Sequence, residues 1–175
     1  MCGIVAYIGN KDPIPILMEG LHRLEYRGYD SAGILVCNNS KSQLSKIAGK
    51  VNALSRILES KTDITPHLGI GHTRWATHGI PNEINAHPHS SNSGKLFMVH
   101  NGIIENYDTL KMELISRGYS FYSDTDSEVL VNLIQEIQIK ENVKLPDAVQ
   151  LALNQVVGAY GCLLYTSDAA DDLRG

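Results

Sequence analysis

An apolar run at the start of the sequence constrains the fold most, because it predicts that the chain enters a sheet at once. Residues 2–8 read CGIVAYI, and Gly9 and Asn10 follow as turn residues. Apolar runs of this length, bounded by turn residues, are typical of buried β-strands. We therefore expect a first strand that places Cys2 at the end of a sheet.

Helix-like and strand-like segments alternate along the rest of the chain, with several direct links between strands. Further strands are expected at 31–37, 43–47, 68–75, 96–100 and 158–164, and helices at 17–27, 54–58, 107–117, 125–137 and 146–156. Direct links between strands favour antiparallel sheets over a doubly wound parallel sheet. We therefore expect an α+β fold with helices covering antiparallel sheets.

Composition excludes several classes of function. The chain has 175 residues, of which 43% are hydrophobic and 19% charged, and its formal net charge is −4. This charge argues against a nucleic-acid surface, and no apolar run approaches the roughly 18 residues that a membrane helix needs. The start has no signal-peptide pattern and three cysteines cannot pair completely, so we expect a reduced, cytoplasmic protein.

Cys2 is the first candidate for catalysis. Once Met1 is removed, Cys2 carries both a thiol, with a pKa of about 8.5, and an α-amine, with a pKa of about 7.7–8.0. Because these proton affinities nearly match, the amine can take the thiol proton directly or through a water molecule. The alternative is that Cys2 is simply a small buried residue of the first strand.

Two further segments carry groups that could bind an anion or an oxyanion. The guanidinium of Arg74, in HTRWATHG (72–79), suits a carboxylate, although a surface cation packed on Trp75 is the alternative. In HNGIIENY (100–107), the Asn101 amide and the Gly102 N–H at a strand end could form an oxyanion hole. The alternative there is a tight turn, because Asn-Gly is a strong turn dipeptide.

Asp126 and the histidines complete the candidates. Thr125 to Glu128 fit a helix capping box, so Asp126 could help to cap the helix, bind a ligand ammonium, or do both. Seven histidines are present, and His87-Pro88-His89 could suggest a metal site. No HExxH or paired CxxC motif accompanies it, so we expect no metal and no cofactor.

Six segments in a fixed order together resemble one family. They are CGIV (2–5), RLEYRGYDSAG (23–33), HTRWATHG (72–79), NAHPH (85–89), HNGIIEN (100–106) and SDTDSEV (123–129). Over about residues 2–161, they are similar to the glutaminase domain of class II glutamine amidotransferases, which are N-terminal nucleophile hydrolases. Among these, the resemblance is to the branch that transfers ammonia to fructose 6-phosphate.

The resemblance implies an αββα sandwich of two stacked antiparallel sheets flanked by helices. It also implies that L-glutamine is the substrate and that Cys2 is the nucleophile. Asn101 and Gly102 would form the oxyanion hole. The implied glutamine-binding residues are Arg74 for the α-carboxylate, Asp126 for the α-ammonium, and Trp75, Thr77 and His78 around them, with Arg27 positioning the N-terminus.

The resemblance also implies a domain organisation. Residues 1–161 would be a C-terminally truncated glutaminase domain, without the sugar-isomerase domains that bind fructose 6-phosphate. Residues 162–175, CLLYTSDAADDLRG, resemble a translated sequencing adapter and are expected to be a non-native tail; a natural acidic C-terminus is the alternative. The full-length protein is expected to be a homodimer, and no nucleic-acid or membrane partner is expected.

Three other functions stay open from the sequence. The chain could be a glutamine-binding module without catalysis, because a truncation can loosen the site. It could be the glutaminase half of another class II amidotransferase. It could also be a histidine-rich metal-binding protein.

Overall fold

The computed structural model describes residues 2–38, 41–59 and 65–167. The helices are α1 (Pro13–Leu24), α2 (Val51–Glu59), α3 (Tyr107–Ser116), α4 (Asp126–Lys140) and α5 (Leu145–Leu153), and a 3-10 turn covers Glu25–Arg27. The strands are β1 (Gly3–Ile8), β2 (Ser31–Cys37), β3 (Ser42–Ala48), β4 (Leu68–Arg74), β5 (His89–Ser90), β6 (Leu96–Ile104) and β7 (Gly158–Thr166). No helix in these ranges is long and apolar enough to cross a bilayer.

The strands form two antiparallel sheets that pack face to face. The first has the order β1-β4-β2-β3 and the second the order β5-β6-β7. Leu35 and Ile70 of the first sheet meet Phe97 and Val99 of the second in a shared apolar core. Helices α1 and α2 cover the outer face of the first sheet, and α3, α4 and α5 cover that of the second. The αββα sandwich expected from the sequence is confirmed.

Local signals explain how α1 is placed on its sheet. The Asp12 side chain accepts a hydrogen bond from the Ile14 N–H at 3.0 Å and so caps the first turn. Leu17 and Leu21 are fully buried on the face that meets the sheet. Gly69 of β4 permits this close approach, since a Cβ there would lie 2.6 Å from the Leu17 Cδ1 atom.

The alternation of side chains along each strand brings the candidate residues together. Ile4 packs into the core between the sheets, so Cys2, two residues earlier, belongs to the same face. In β4, His72 and Arg74 follow Ile70 by two and four residues, so their side chains lie on the same face of the sheet as that of Ile70. In β6, Asn101 follows Val99 by two residues and shares its face in the same way. The side chains at the ends of these strands therefore converge between the two sheets.

Strand β6 is longer than the sequence predicted. It continues through Ile104, and Asn101 and Gly102 pair within it with Gly161 and Tyr160 of β7. The tight turn and the strand end considered for Asn-Gly are therefore both wrong. Gly102 has a φ of 137°, a conformation that glycine adopts readily, and this lets the dipeptide stay in the ladder.

Strand β7 also extends beyond its predicted end. It runs to Thr166, past Gly161, the last residue of the expected domain. The side chains of Leu163 and Tyr165 pack against the core between the sheets, so this stretch contributes to the fold. The non-native origin of residues 162–175 stays a prediction, and residues 168–175 lie outside the described ranges.

Candidate active site

A cavity of about 220 Å³ opens where the ends of β4 and β6 meet the start of α4. Six residues that the sequence singled out line it, namely Cys2, Arg74, Trp75, Thr77, Gly102 and Asp126. The structure therefore brings together a thiol, a cation and an anion from segments far apart in the chain.

Backbone contacts hold the Cys2 thiol at this cavity. Gly3 pairs with Thr73, which places Cys2 beside the end of β4. The Trp75 N–H donates a hydrogen bond to the Cys2 Sγ atom at 3.1 Å. Cys37, by contrast, is buried in the core, and burial raises the pKa of its thiol to about 11. Of these two thiols, only Cys2 can meet a ligand in the cavity.

The Asn101 side chain bridges the two sheets next to Cys2. Its Nδ2 atom donates to the Cys2 carbonyl oxygen at 3.4 Å. Its Oδ1 atom lies 2.7 Å from Nε2 of His72 in β4. The carboxamide therefore turns its N–H groups towards Cys2 and its oxygen away from it.

Arg74 places a buried charge at the cavity wall. Arg74 is only 3% exposed, and its Nη2 atom donates a hydrogen bond to the carbonyl oxygen of His78. Its Nη1 atom has no hydrogen-bond partner among the described residues. Burial lowers the pKa of Arg74, and the nearby carboxylates, Asp30 first among them, oppose that shift. Because a guanidinium stays protonated in proteins, the free nitrogen offers a site for an anion.

Asp126 supplies the opposite charge. It is the first residue of α4 and is 4% exposed, and its Oδ2 atom accepts from the Ile104 N–H at 2.9 Å. The helix cap is Thr125, whose Oγ1 accepts from the Glu128 N–H at 3.3 Å. The Thr125 half of the predicted capping box is therefore present. The Glu128 carboxylate accepts from the Ser123 N–H at 2.7 Å, while the Thr125 N–H donates to Ser123 Oγ. The Asp126 side chain is not the cap. Its carboxylate lines the cavity.

The remaining predicted residues lie around this centre. The Trp75 side chain is 55% exposed and covers Gly28, where a Cβ would lie 2.6 Å from the indole. Thr77 Oγ1 lies 3.2 Å from the His78 Nδ1 atom. The His78 ring packs on Tyr107, so His78 contributes to the site through its carbonyl oxygen. Arg27 is half-buried at the end of the 3-10 turn, before Gly28.

Buried histidines at the cavity form a cluster that the sequence did not predict, although His87 belongs to the His87-Pro88-His89 motif; His87 and His100 line the cavity. Ser127 Oγ lies 2.8 Å from both His87 Nε2 and His100 Nδ1. The His72 ring centroid lies 4.2 Å from that of His87. Burial lowers the pKa of His72 to about 4 and that of His87 well below its ordinary value, so both rings are neutral near pH 7. His72 and His100 lie on β4 and β6, whereas His87 lies in the loop before β5, so no local sequence pattern brings the three rings together.

The His87-Pro88-His89 motif does not form a metal centre in the described chain. His87 Nε2 meets the Ser127 hydroxyl, and His89 Nε2 meets that of Thr125 at 3.1 Å. In residues 2–38, 41–59 and 65–167, no group of three potential metal ligands comes together.

Comparison with known proteins finds relatives that are glutamine amidotransferases. Residues 59–145 match a family described as a glutamine amidotransferase domain. The chain is 52% identical over 174 residues to the isomerizing glutamine–fructose-6-phosphate aminotransferase of Bacteroides thetaiotaomicron, covering 99% of this chain and 28% of that protein. The enzyme of the same name from Pyrococcus horikoshii is 48% identical over 174 residues, covering 99% and 29%.

A solved structure supports the same assignment. The glutamine phosphoribosylpyrophosphate amidotransferase of B. subtilis superposes with a TM-score of 0.79 at 29% identity, covering 95% of this chain and 35% of that one. The chain thus spans about a third or less of each of these three proteins. With the αββα fold and the family match over residues 59–145, these similarities show that the chain contains a glutamine amidotransferase domain and resembles the glutaminase domains of the class II enzymes.

Proposed function

We propose that this chain hydrolyses the side-chain amide of L-glutamine to glutamate and ammonia through a Cys2 thioester. The observation that carries the proposal is the convergence of Cys2 and two opposite buried charges at one cavity of about 220 Å³, with the Asn101 carboxamide bonded to the Cys2 backbone beside it. The two charges suit the zwitterionic end of glutamine, and the thiol and carboxamide suit its side-chain amide.

The two charges suit the α-amino acid end of glutamine. This end is a zwitterion, so a selective site needs one fixed cation and one fixed anion. In this proposal, the Nη1 atom of Arg74, which has no partner among the described residues, binds the α-carboxylate, and the Asp126 carboxylate at the cavity wall binds the α-ammonium. Since the remaining bonds of both residues go to the protein, their charges are held in place before the substrate binds.

The chemistry starts at the other end of the substrate. With Met1 removed, the α-amine of Cys2 takes the thiol proton, and the thiolate attacks the amide carbon. The Asn101 N–H and the Gly102 backbone N–H stabilise the oxyanion. The C–N bond breaks and ammonia leaves with the transferred proton. Water then attacks the thioester, which releases glutamate and restores the thiol.

The fate of the ammonia is the part that rests on the relatives. We propose that it passes to fructose 6-phosphate in a longer protein, as the names of the relatives indicate. Free Cys2, Cys37 and Cys162 are consistent with our proposal of a reducing, cytoplasmic compartment.

A trapping experiment tests the proposal. The purified chain, with its N-terminus checked by mass spectrometry, is incubated with glutamine and hydroxylamine. We expect glutamate to form and γ-glutamyl hydroxamate to appear, because hydroxylamine competes with water for the thioester. Cys2→Ala should abolish both products, and Cys162→Ala, which changes an exposed thiol, is the matched control.

The outcomes separate the alternatives. Glutamine binding without either product would mean a binding module. Equal product formation by Cys2→Ala would mean that Cys2 is not the nucleophile.

A further inference from the structure

We propose that His72 is a positioning residue that sets the orientation of the Asn101 carboxamide, and thereby its ability to stabilise the oxyanion. This inference rests on the proposed glutaminase function. His72 lies on β4 of the first sheet and Asn101 on β6 of the second, so the contact also fixes one sheet relative to the other at the active site.

The backbone determines the state of the His72 ring. Its Nε2 atom lies 3.1 Å from the carbonyl oxygen of His100, which can only accept a hydrogen bond. Nε2 therefore carries a proton. The same nitrogen lies 2.7 Å from an Asn101 side-chain atom, and facing an N–H donor, that atom must be the oxygen. The orientation of the amide thus follows from a backbone carbonyl that cannot be reversed.

This orientation has a direct consequence for catalysis. With its oxygen held by His72, Asn101 turns its NH2 group towards Cys2, where Nδ2 lies 3.4 Å from the Cys2 carbonyl oxygen. The reversed amide would present a lone pair to an oxygen that becomes negative in the transition state. It would also bring two acceptors together at Cys2. The hydrogen bond from His72 removes both possibilities.

The surroundings keep the ring in this state. His72 is fully buried, and burial lowers its pKa to about 4, so it stays neutral near pH 7. The facing ionisable groups are Arg74 on its own strand, His100 on β6, and His87, whose ring centroid is 4.2 Å away. Its Nδ1 atom has no hydrogen-bond partner among the described residues, so the bonds at Nε2 hold the ring.

The ring state can be measured without turnover. In the full chain labelled with ¹⁵N-histidine, we expect His72 to show a protonated Nε2 and an unprotonated Nδ1 between pH 6 and 8. The same pattern should persist in Cys2→Ala. A protonated Nδ1 with a bare Nε2 would overturn the inference, whether or not the chain is active.

The kinetic test uses two substitutions of similar shape. His72→Gln keeps an N–H donor near the position of Nε2, whereas His72→Met has none. We expect His72→Met to lower kcat at least tenfold with KM changed less than twofold, and His72→Gln to recover most of the loss. His89→Gln, at a fully buried histidine bonded to Thr125, is the control for lost packing and should keep kcat within twofold.

A double mutant separates positioning from packing. Removing one oxyanion donor typically lowers kcat by about 10²–10³, which sets the expectation for Asn101→Ala. Adding His72→Met to Asn101→Ala should lower kcat no further, because His72 acts through Asn101. If the double mutant lost kcat by the product of the two single-mutant factors, the inference would be overturned. Equal kcat values for His72→Met and the unchanged chain would also overturn it. An unchanged chain that releases no glutamate would instead overturn the proposed function.

Discussion

The buried histidines predict that the fold loses stability in mildly acidic solution. The pKa of His72 is about 4 in the fold, against an ordinary value of 6.5. Between these values the unfolded chain binds a proton that the folded chain does not, so the free energy of unfolding falls as the pH falls. At about 1.4 kcal/mol per pKa unit, His72 alone should cost about 2 kcal/mol by pH 5 and about 3 kcal/mol below pH 4.

His87 and His89 act in the same direction, because burial lowers both of their pKa values well below the ordinary value. Urea unfolding followed by circular dichroism at pH 7.5, 6.5, 5.8 and 5.0 measures the effect. Carboxylates such as Glu25, whose pKa is lowered from 4.5, lose their contribution to the free energy of unfolding mostly at more acidic pH.

Replacing the titrating ring supplies the control for this prediction. Because residue 72 cannot titrate in His72→Gln, the free energy of unfolding of this variant should fall less steeply with falling pH. The two slopes should differ by about 1.4 kcal/mol per pH unit midway between pH 4 and pH 6.5. A free energy of unfolding that changes by less than about 1 kcal/mol from pH 7.5 to pH 5 would refute the reasoning, since His72 alone should exceed it. An equal slope in both chains would assign the pH dependence to other groups.

Two further predictions concern the proposed substrate site. Arg74→Lys should raise the dissociation constant for glutamine by about tenfold or more, measured by calorimetry in the Cys2→Ala background. The reason is that lysine cannot bind both the His78 carbonyl oxygen and a carboxylate, as the planar guanidinium does. An unchanged dissociation constant would mean that Arg74 does not bind glutamine. Retaining Met1, or adding an N-terminal tag, should abolish glutamate release, because an acylated amine cannot accept the thiol proton; equal rates for processed and unprocessed protein would show that another base acts.

Much of the fold could be predicted because its signals are local. The apolar run at the N-terminus, the leucines of α1 and the Thr125 cap of α4 each report on a few neighbouring residues. The strand and both helices formed at these places, although α1 begins at Pro13, four residues before its predicted start. The pairing of strands is not local. The extension of β6 through Gly102 depends on β7, which lies about 60 residues later in the chain, so the sequence alone left a turn open as an alternative.

The candidate site shows the same division. Cys2, Arg74 and Asp126 carry chemistry that residue type and resemblance make visible. His72 does not, because a histidine within a strand is most simply a core residue, and its role appears only when a second strand supplies the acceptor oxygens. Contacts across the sheets, rather than residue types, distinguish the positioning group from the other buried histidines.

The last prediction separates the conformation of β6 from its chemistry. Gly102 has a φ of 137°, and a Cβ there would collide with the Ala159 carbonyl oxygen and lie 2.6 Å from the Tyr160 Cα atom. Gly102→Ala should therefore cost about 1–3 kcal/mol of stability and, by moving Asn101, also lower kcat by about tenfold or more. Gly161→Ala is the matched control, because a Cβ at this residue, opposite Asn101, meets nothing within 4 Å. Thermal unfolding and glutamate release should stay close to those of the unchanged chain in Gly161→Ala. If Gly102→Ala matched Gly161→Ala in both measurements, the glycine conformation at residue 102 would not be what holds the oxyanion donors in place.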